Sequence, residues 1–186
     1  MKISALPIPK ELSDLLRSQG YEELYPPQEE AVRARVLEGE KMLLTTPTAS
    51  GKTLIAILTA GKTILEDGGK VVYLTPLRAL ANEKYEEFKP FETLVKPDGD
   101  KVRVMISTGD YDSRSDFLGG GDIIILTNEK FDSLLRHGIP WIDEVQLFVA
   151  DEVHLVGDVY RGPTIETILT KIIALAPKAQ VLALSA

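Results

Sequence analysis

Thr46-Pro47-Thr48-Ala49-Ser50-Gly51-Lys52-Thr53 stands between the apolar stretch 42–45 and an amphipathic segment at 52–66. A turn that runs from a strand into a helix aims the helix's unpaired N–H groups at one point, where their dipoles stabilise an anion such as a phosphate. Lys52 adds a mobile positive charge for outer phosphates, and the Thr53 hydroxyl can ligate Mg²⁺. The stretch therefore predicts a strand, a phosphate loop and a helix in succession. A polar loop that merely caps a helix is the alternative, and Gly-Lys-[Ser/Thr] alone arises by chance about once in a couple of thousand positions. The general Gly-x-x-x-x-Gly-Lys-[Ser/Thr] pattern asks for glycine where this chain has Thr46, which argues against the kinds of P-loop that need a leading glycine.

Outward from that loop, short β-branched or apolar runs alternate with longer amphipathic ones. Strands are expected at 42–45, 71–75, 102–106, 123–127, 147–150 and 181–184, with helices at 52–66, 77–88, 129–136 and 164–175 between them. This is the pattern of a mainly parallel sheet joined by right-handed crossovers and covered by helices on both faces, an α/β fold. Two further helices, at 10–19 and 27–38, precede the first strand. Residues 1–40 accordingly read as an N-terminal helical segment and 41–186 as the sheet domain. Gly119-Gly120-Gly121 precedes a strand, so it reads as a turn and not a phosphate cradle. Leu184-Ser185-Ala186 ends directly off a predicted strand, which suggests a piece of a longer protein.

The 186 residues suffice for one α/β domain, and 44% hydrophobic with 26% charged residues exclude collagenous, disordered and disulfide-scaffold chains. A net charge of −7 argues against a broad basic face for nucleic acid while leaving room for local phosphate contacts. Without cysteine there is no disulfide framework, thiolate metal site or cysteine nucleophile. No signal peptide opens the chain and no apolar run approaches the ~18 residues of a membrane span. The expectation is a soluble, cytoplasmic domain with no membrane partner.

Asp151-Glu152-Val153-His154 follows the apolar run Leu147-Phe148-Val149-Ala150. Ligands of open parallel sheets bind outside the carboxyl ends of the strands, so this acidic pair and the phosphate loop should meet in space. Asp151 would hold the hydration shell of Mg²⁺, and Glu152 would orient and deprotonate an attacking water. Acidic residues also favour the first turn of a helix for its dipole alone.

With these two motifs together, the chain resembles the superfamily-two helicases of the DExH type. Asp151-Glu152-x-His154 matches motif II, Thr46 to Thr53 matches a form of motif I with Thr46 and Ala49 substituted, and Leu184-Ser185-Ala186 looks like motif III lacking its last residue. Tyr25-Pro26-Pro27-Gln28 resembles the adenine-reading Q motif, whose glutamine amide can both donate to and accept from the adenine edge. Thr75 to Leu80 resembles motif Ia, Ser107-Thr108-Gly109-Asp110 motif Ib, and Thr127-Asn128-Glu129-Lys130 the strand-gripping segment after it. This order is similar to the archaeal-type Holliday-junction-migrating (Hjm) DNA helicases and their polymerase-theta helicase relatives.

The resemblance implies a RecA-like P-loop NTPase domain, the first of two motor domains, using ATP and Mg²⁺ and acting on single-stranded or forked DNA. It implies catalytic roles for Lys52, Asp151, Glu152 and His154, with the metal held by Thr53 and Asp151. Nucleotide contacts fall on Gln28, Thr46, Pro47, Thr48, Ala49, Ser50, Gly51, Lys52 and Thr53. His154 would couple the nucleotide site to Ser185, and a second RecA-like domain of the same parent chain would supply an arginine finger. Arg78 can make bidentate phosphate contacts, while Thr108, Gly109, Thr127 and Asn128 offer backbone and hydroxyl donors to the strand. Ordinary turn chemistry accounts for the last four nearly as well. Tyr25 either packs near the base or staples the following helix. His137 reads as a helix C-terminal cap and Trp141 as packing. An RNA track, or a nucleotide-dependent protein-binding module, remains open beside the DNA motor.

Overall fold

Strands β2 (Lys70–Thr75) and β4 (Ile123–Thr127) are buried along their whole length, and β5 (Val145–Ala150) at all but one residue. Strands buried on both faces are characteristic of a parallel sheet with helices above and below. With β1 (Met42–Thr45), β3 (Val104–Ser107) and β6 (Gln180–Ser185) they form one six-stranded sheet in the order β1-β6-β5-β2-β4-β3. Every pairing is parallel; β2 aligns Val72 with Ile124 on one side and with Phe148 on the other. The computed structural model describes residues 1–46, 51–109 and 115–186. No helix among the described residues is long and apolar enough to cross a membrane.

Chain direction decides which face each helix covers. From β1 through β2 to β3 the chain crosses the sheet one way, by α3 (Lys52–Asp67) and α4 (Arg78–Phe88). From β3 through β4 and β5 to β6 it returns, by α5 (Ser115–Leu118), α6 (Asn128–His137) and α7 (Gly162–Leu175). Right-handed crossovers in opposite directions put helices on opposite faces. Two apolar cores result. Val71 and Tyr73 of β2 pack with α3 and α4 residues such as Ile55 and Phe88. Their neighbours Val72 and Leu74 pack on the other side with Phe131 of α6 and Ile168 of α7. Trp141 lies in this second core.

The N-terminal helices α1 (Lys10–Ser18) and α2 (Pro26–Arg33) join the first core through Leu12, Leu16 and Ala31. The close approach of α1 to α3 requires Gly61, since a Cβ there would lie 2.6 Å from both Leu12 methyls. A glycine inside a helix costs about 1 kcal/mol against alanine, which this packing offsets.

Two boundaries depart most from the sequence expectation. The helix expected over 27–38 ends at Arg33, because Arg35 adopts φ +69° and the chain re-enters a 3-10 turn, Val36–Glu38, that buries Val36 and Leu37. β3 begins at Val104 and not at 102, because the Val102 N–H bonds the Leu94 carbonyl (3.1 Å) outside the sheet. A 3-10 turn, Val153–Gly157, follows the acidic pair. The glycine triplet is a turn after α5: Gly121 N–H bonds Leu118 O at 2.9 Å, and Lys70 Nζ donates to the Gly119 carbonyl at 2.8 Å. His137 Nδ1 lies 2.7 Å from the Ser133 carbonyl at the end of α6, where a cap belongs.

Leu12→Ala removes a fully buried side chain from the contact between α1 and α3. The expected loss is roughly 3 kcal/mol, or about 6–12 °C in Tm at this chain length. A melt followed by circular dichroism tests it, and a shift under about 2 °C would mean that α1 is not part of the core.

Candidate nucleotide site

Because all six strands run the same way, their carboxyl ends lie along one edge of the sheet. β1 and β5 flank β6, so the residues after Thr45 and after Ala150 are two strand positions apart. A cavity of about 710 Å³ opens there, lined by Gln28, Gly51, Lys52, Thr53, Asp151 and Glu152 among others. Gly51, Lys52 and Thr53 of motif I meet Asp151 and Glu152 of motif II there and Gln28 joins them, whereas Thr46 and His154 stand outside the lining. Pro47, Thr48, Ala49 and Ser50 of the loop lie outside the described residues, as does Asp110 of the motif Ib match.

The loop's ends are held by backbone and side-chain bonds. Thr46 N–H extends the ladder to Ser185 O (3.3 Å), and Lys52 Nζ reaches back to the Thr46 carbonyl at 2.8 Å. Gly51 caps α3 with φ +78°, and a Cβ on it would lie 2.2 Å from Gln28 Nε2. Only glycine satisfies both constraints. Gln28 is 2% exposed. Its Nε2 donates to Gly51 O at 2.8 Å, and its Oε1 accepts the Tyr25 N–H at 2.7 Å. The amide thus clips the start of α2 to the phosphate loop. Those bonds use one donor and one acceptor site of the two each that an amide has. Tyr25 itself is largely exposed on the cavity wall.

Asp151 leaves β5 with its N–H still paired to Leu74 O (2.9 Å) and its carboxylate fixed at both oxygens. Tyr73 OH donates to Oδ2 at 2.8 Å and Glu152 N–H to Oδ1 at 2.9 Å. Burial, and next the neighbouring Asp151 carboxylate, raise the Tyr73 pKa well above its ordinary value, so the phenol remains a donor. Glu152 has φ +54°, one of two non-glycine residues in the left-handed region among those described. Such a conformation costs about 1–3 kcal/mol and is kept where the surroundings over-determine it. Here it turns the chain sharply after Asp151. Glu152 Oε2 lies 3.2 Å from His154 Nδ1, and Ala186 N lies 3.5 Å from that same nitrogen. One nitrogen cannot donate and accept at once; the shorter contact assigns Nδ1–H to Glu152. With Nδ1 so used, His154 lies beside the Ala186 backbone of the motif III segment without accepting its N–H, and Ser185 Oγ, the partner expected for it, donates to the Ala186 carbonyl at 3.1 Å.

Two carboxylates and a lysine on α4 complete the cavity wall, and the sequence did not single them out. Lys84 Nζ lies 3.2 Å from Thr53 Oγ1, 3.0 Å from Glu87 and 3.2 Å from Glu83. Burial lowers the Lys84 pKa, but Glu87 and Glu83 outweigh it and the net shift is upward. Glu87 is raised by its own burial, against the pull of Lys84. The only signal in the sequence was a lysine three residues before a glutamate on the covered face of a helix. Tyr73 left none beyond its place in an apolar strand.

A threonine hydroxyl and an aspartate carboxylate are hard oxygen donors. They suit Mg²⁺, which keeps waters and phosphate oxygens as its remaining ligands. No group of three or more His, Cys, Asp or Glu placed for a metal occurs among the described residues.

The expected strand-binding residues share the same sheet edge but do not line this cavity. Arg78 is exposed at the first turn of α4, and Thr108 and Gly109 are half-buried after β3. Thr127 is buried; its Oγ1 accepts the Lys130 N–H (3.3 Å) and caps α6. Asn128, the first residue of that helix, is buried too.

The DEAD/DEAH box helicase profile matches residues 25–186, from the Gln28 segment through the last strand. The chain belongs to the DEAD/DEAH box helicases. It is 53% identical over its whole length to the ATP-dependent DNA helicase Hel308 of Thermococcus kodakarensis and 50% identical to Hel308 of Pyrococcus abyssi. It covers 16% and 25% of those relatives, so this helicase domain spans a quarter or less of their length. Among solved structures, the DUF1998 helicase MrfA bound to DNA and AMPPNP superposes with a TM-score of 0.78 at 26% identity, over 96% of this chain and 26% of MrfA. MrfA bound to DNA alone gives 0.77 at 25% identity. The fold is thus the RecA-like α/β fold of helicases.

Tyr73→Phe keeps the ring, which packs edge-on to Phe88 at 5.7 Å, and deletes only the O–H that Asp151 accepts. A hydrogen bond to a charged group that is buried is worth about 2 kcal/mol, so Tm should fall by about 4–8 °C. An unchanged Tm would mean that Asp151 finds another donor.

Proposed function

We propose that this chain is the first RecA-like motor domain of an ATP-dependent DNA helicase, with residues 1–40 as its N-terminal helical segment and 41–186 as the sheet domain. The observation that carries the proposal is the convergence of Gly51, Lys52, Thr53, Asp151 and Glu152 on one cavity, with Gln28 clipped to Gly51. The printed names of the Hel308 relatives, and the DNA and AMPPNP bound to MrfA, support the same reading.

In this proposal Lys52 exchanges its bond to the Thr46 carbonyl for oxygens of the outer phosphates. Thr53 and Asp151 hold Mg²⁺, which when bound neutralises charge on the phosphates. Glu152, its carboxylate oriented by His154, aligns a water in line with the terminal phosphorus and takes its proton. A bond from the water oxygen to the terminal phosphorus forms while the bond from that phosphorus to the bridging oxygen breaks, so that ADP leaves and inorganic phosphate is formed. His154, whose Nδ1 lies 3.5 Å from the Ala186 N, carries that event to the motif III segment by contact. Gln28 reads adenine with its remaining donor and acceptor. Arg78, Thr108, Gly109, Thr127 and Asn128 grip the sugar-phosphate backbone of single-stranded or forked DNA. A second RecA-like domain of the parent protein closes on the site with an arginine finger, so the isolated chain binds nucleotide weakly and unwinds nothing. A cytoplasmic place of action belongs to the same proposal, because ATP and a DNA track meet there.

The test is equilibrium binding of ATP with Mg²⁺ to the wild type, Lys52→Ala and Gln28→Ala, with and without single-stranded DNA or RNA. Lys52→Ala should weaken binding at least about tenfold, the loss of about one charge-assisted contact. Gln28→Ala also loosens Gly51, so its adenine role is read from the ratio of ATP to GTP affinity, which should fall. Single-stranded DNA should shift the nucleotide affinity, as coupled sites require. A wild type that binds no nucleotide at millimolar concentration, or one that responds to RNA and not to DNA, would overturn the corresponding part of the proposal.

A further inference from the structure

The cavity that receives the phosphates is acidic. Among its described lining residues, Glu22, Glu23, Glu83, Glu87, Asp151 and Glu152 face only two cations, Lys52 and Lys84. The function above uses Lys52 and leaves Lys84 without a role. Its side chain is 7% exposed, and a charge so placed is costly unless its donors are satisfied. An ammonium has three hydrogens, and this one meets three groups: the carboxylates of Glu83 and Glu87 and the hydroxyl of Thr53. With two carboxylates around it, the Lys84 cluster has a net charge of −1 and does not repel a divalent cation nearby.

Thr53 Oγ1 has one hydrogen and two lone pairs. Lys84 sits 3.2 Å away and donates into one lone pair. That fixes the hydroxyl rotor and leaves a second lone pair for a metal and the O–H for an anionic acceptor. Lys84 is anchored in turn by Glu87, one helical turn further along α4 at 3.0 Å. Partners of this kind, which orient a metal ligand without touching the metal, commonly govern affinity about as strongly as the ligand itself.

We propose that Lys84 is a positioning residue for Mg²⁺, presenting the Thr53 hydroxyl to the metal from α4; this rests on the nucleotide-site reading above. The test uses this chain and a fluorescent ATP analogue, titrated with Mg²⁺ or in EDTA, on the wild type, Lys84→Met, Lys84→Gln, Thr53→Ala and the double variant Thr53→Ala/Lys84→Met. The Mg²⁺ concentration at half-saturation should rise about tenfold in Lys84→Met and Lys84→Gln. Affinity in EDTA should stay within about twofold, and Lys84→Met should add nothing in the Thr53→Ala background, since its effect passes through that oxygen. An unchanged or lowered half-saturation would overturn the proposal, the latter making Lys84 a competitor for the same oxygen. Equal losses with and without Mg²⁺ would make it a phosphate contact instead. Additive effects in the double variant, or variants at 84 that do not melt cooperatively, would reduce it to packing. A wild type that binds no analogue overturns the nucleotide site and this inference together, whereas normal wild-type binding with an unaltered Lys84→Met overturns this inference alone.

Discussion

The parallel pairing of β1 with β6 and of β6 with β5 is the constraint on which the site depends. Two sequence motifs nearly a hundred residues apart face each other only because those strands share a direction and a neighbour. The pairing in turn depends on both faces of the central strands being apolar, which requires helices above and below. Burying alternate residues of β2 in two separate cores sets that arrangement, and the carboxyl edge is where the chain's polar groups are left to gather.

What holds the site in shape is a set of bonds reaching it from elements outside the phosphate loop and the acidic pair. Tyr73 fixes Asp151 from the neighbouring strand, Gln28 fixes Gly51 from α2, and Lys84 fixes Thr53 from α4. Each is made by a buried side chain, where an unmade bond costs more than a made one stabilises. Each therefore makes a position of the cavity conditional on the packing of a different helix or strand.

The sheet was legible in the sequence because strands such as Ile123–Thr127 are unbroken β-branched or apolar runs, and the motifs at 46–53 and 151–154 lie where such runs end. Boundaries were less legible. Arg35 has no local reason to leave the helix; it does so because Val36 and Leu37 must reach the core, which is tertiary packing overriding propensity. Val102 reads as strand by composition, but its N–H is taken by Leu94. Lys84 and Tyr73 were illegible for the same reason. A lysine in a polar helix and a tyrosine in an apolar strand acquire meaning only from the Thr53 and Asp151 that the fold brings to them. Gln28 was legible as a candidate through the Tyr25-Pro26-Pro27-Gln28 match, but not its bond to the Gly51 carbonyl.

An α-helix rises about 1.5 Å per residue and barely compresses along its axis. On α4, six positions separate exposed Arg78 at the sheet edge from Lys84 on the cavity wall, about 9 Å of stiff rod. Any axial slip of Lys84 against Thr53 reappears almost undiminished at the Arg78 end. A displacement at the cavity wall thus has a ready conduit to the sheet edge that needs no loop to change its path.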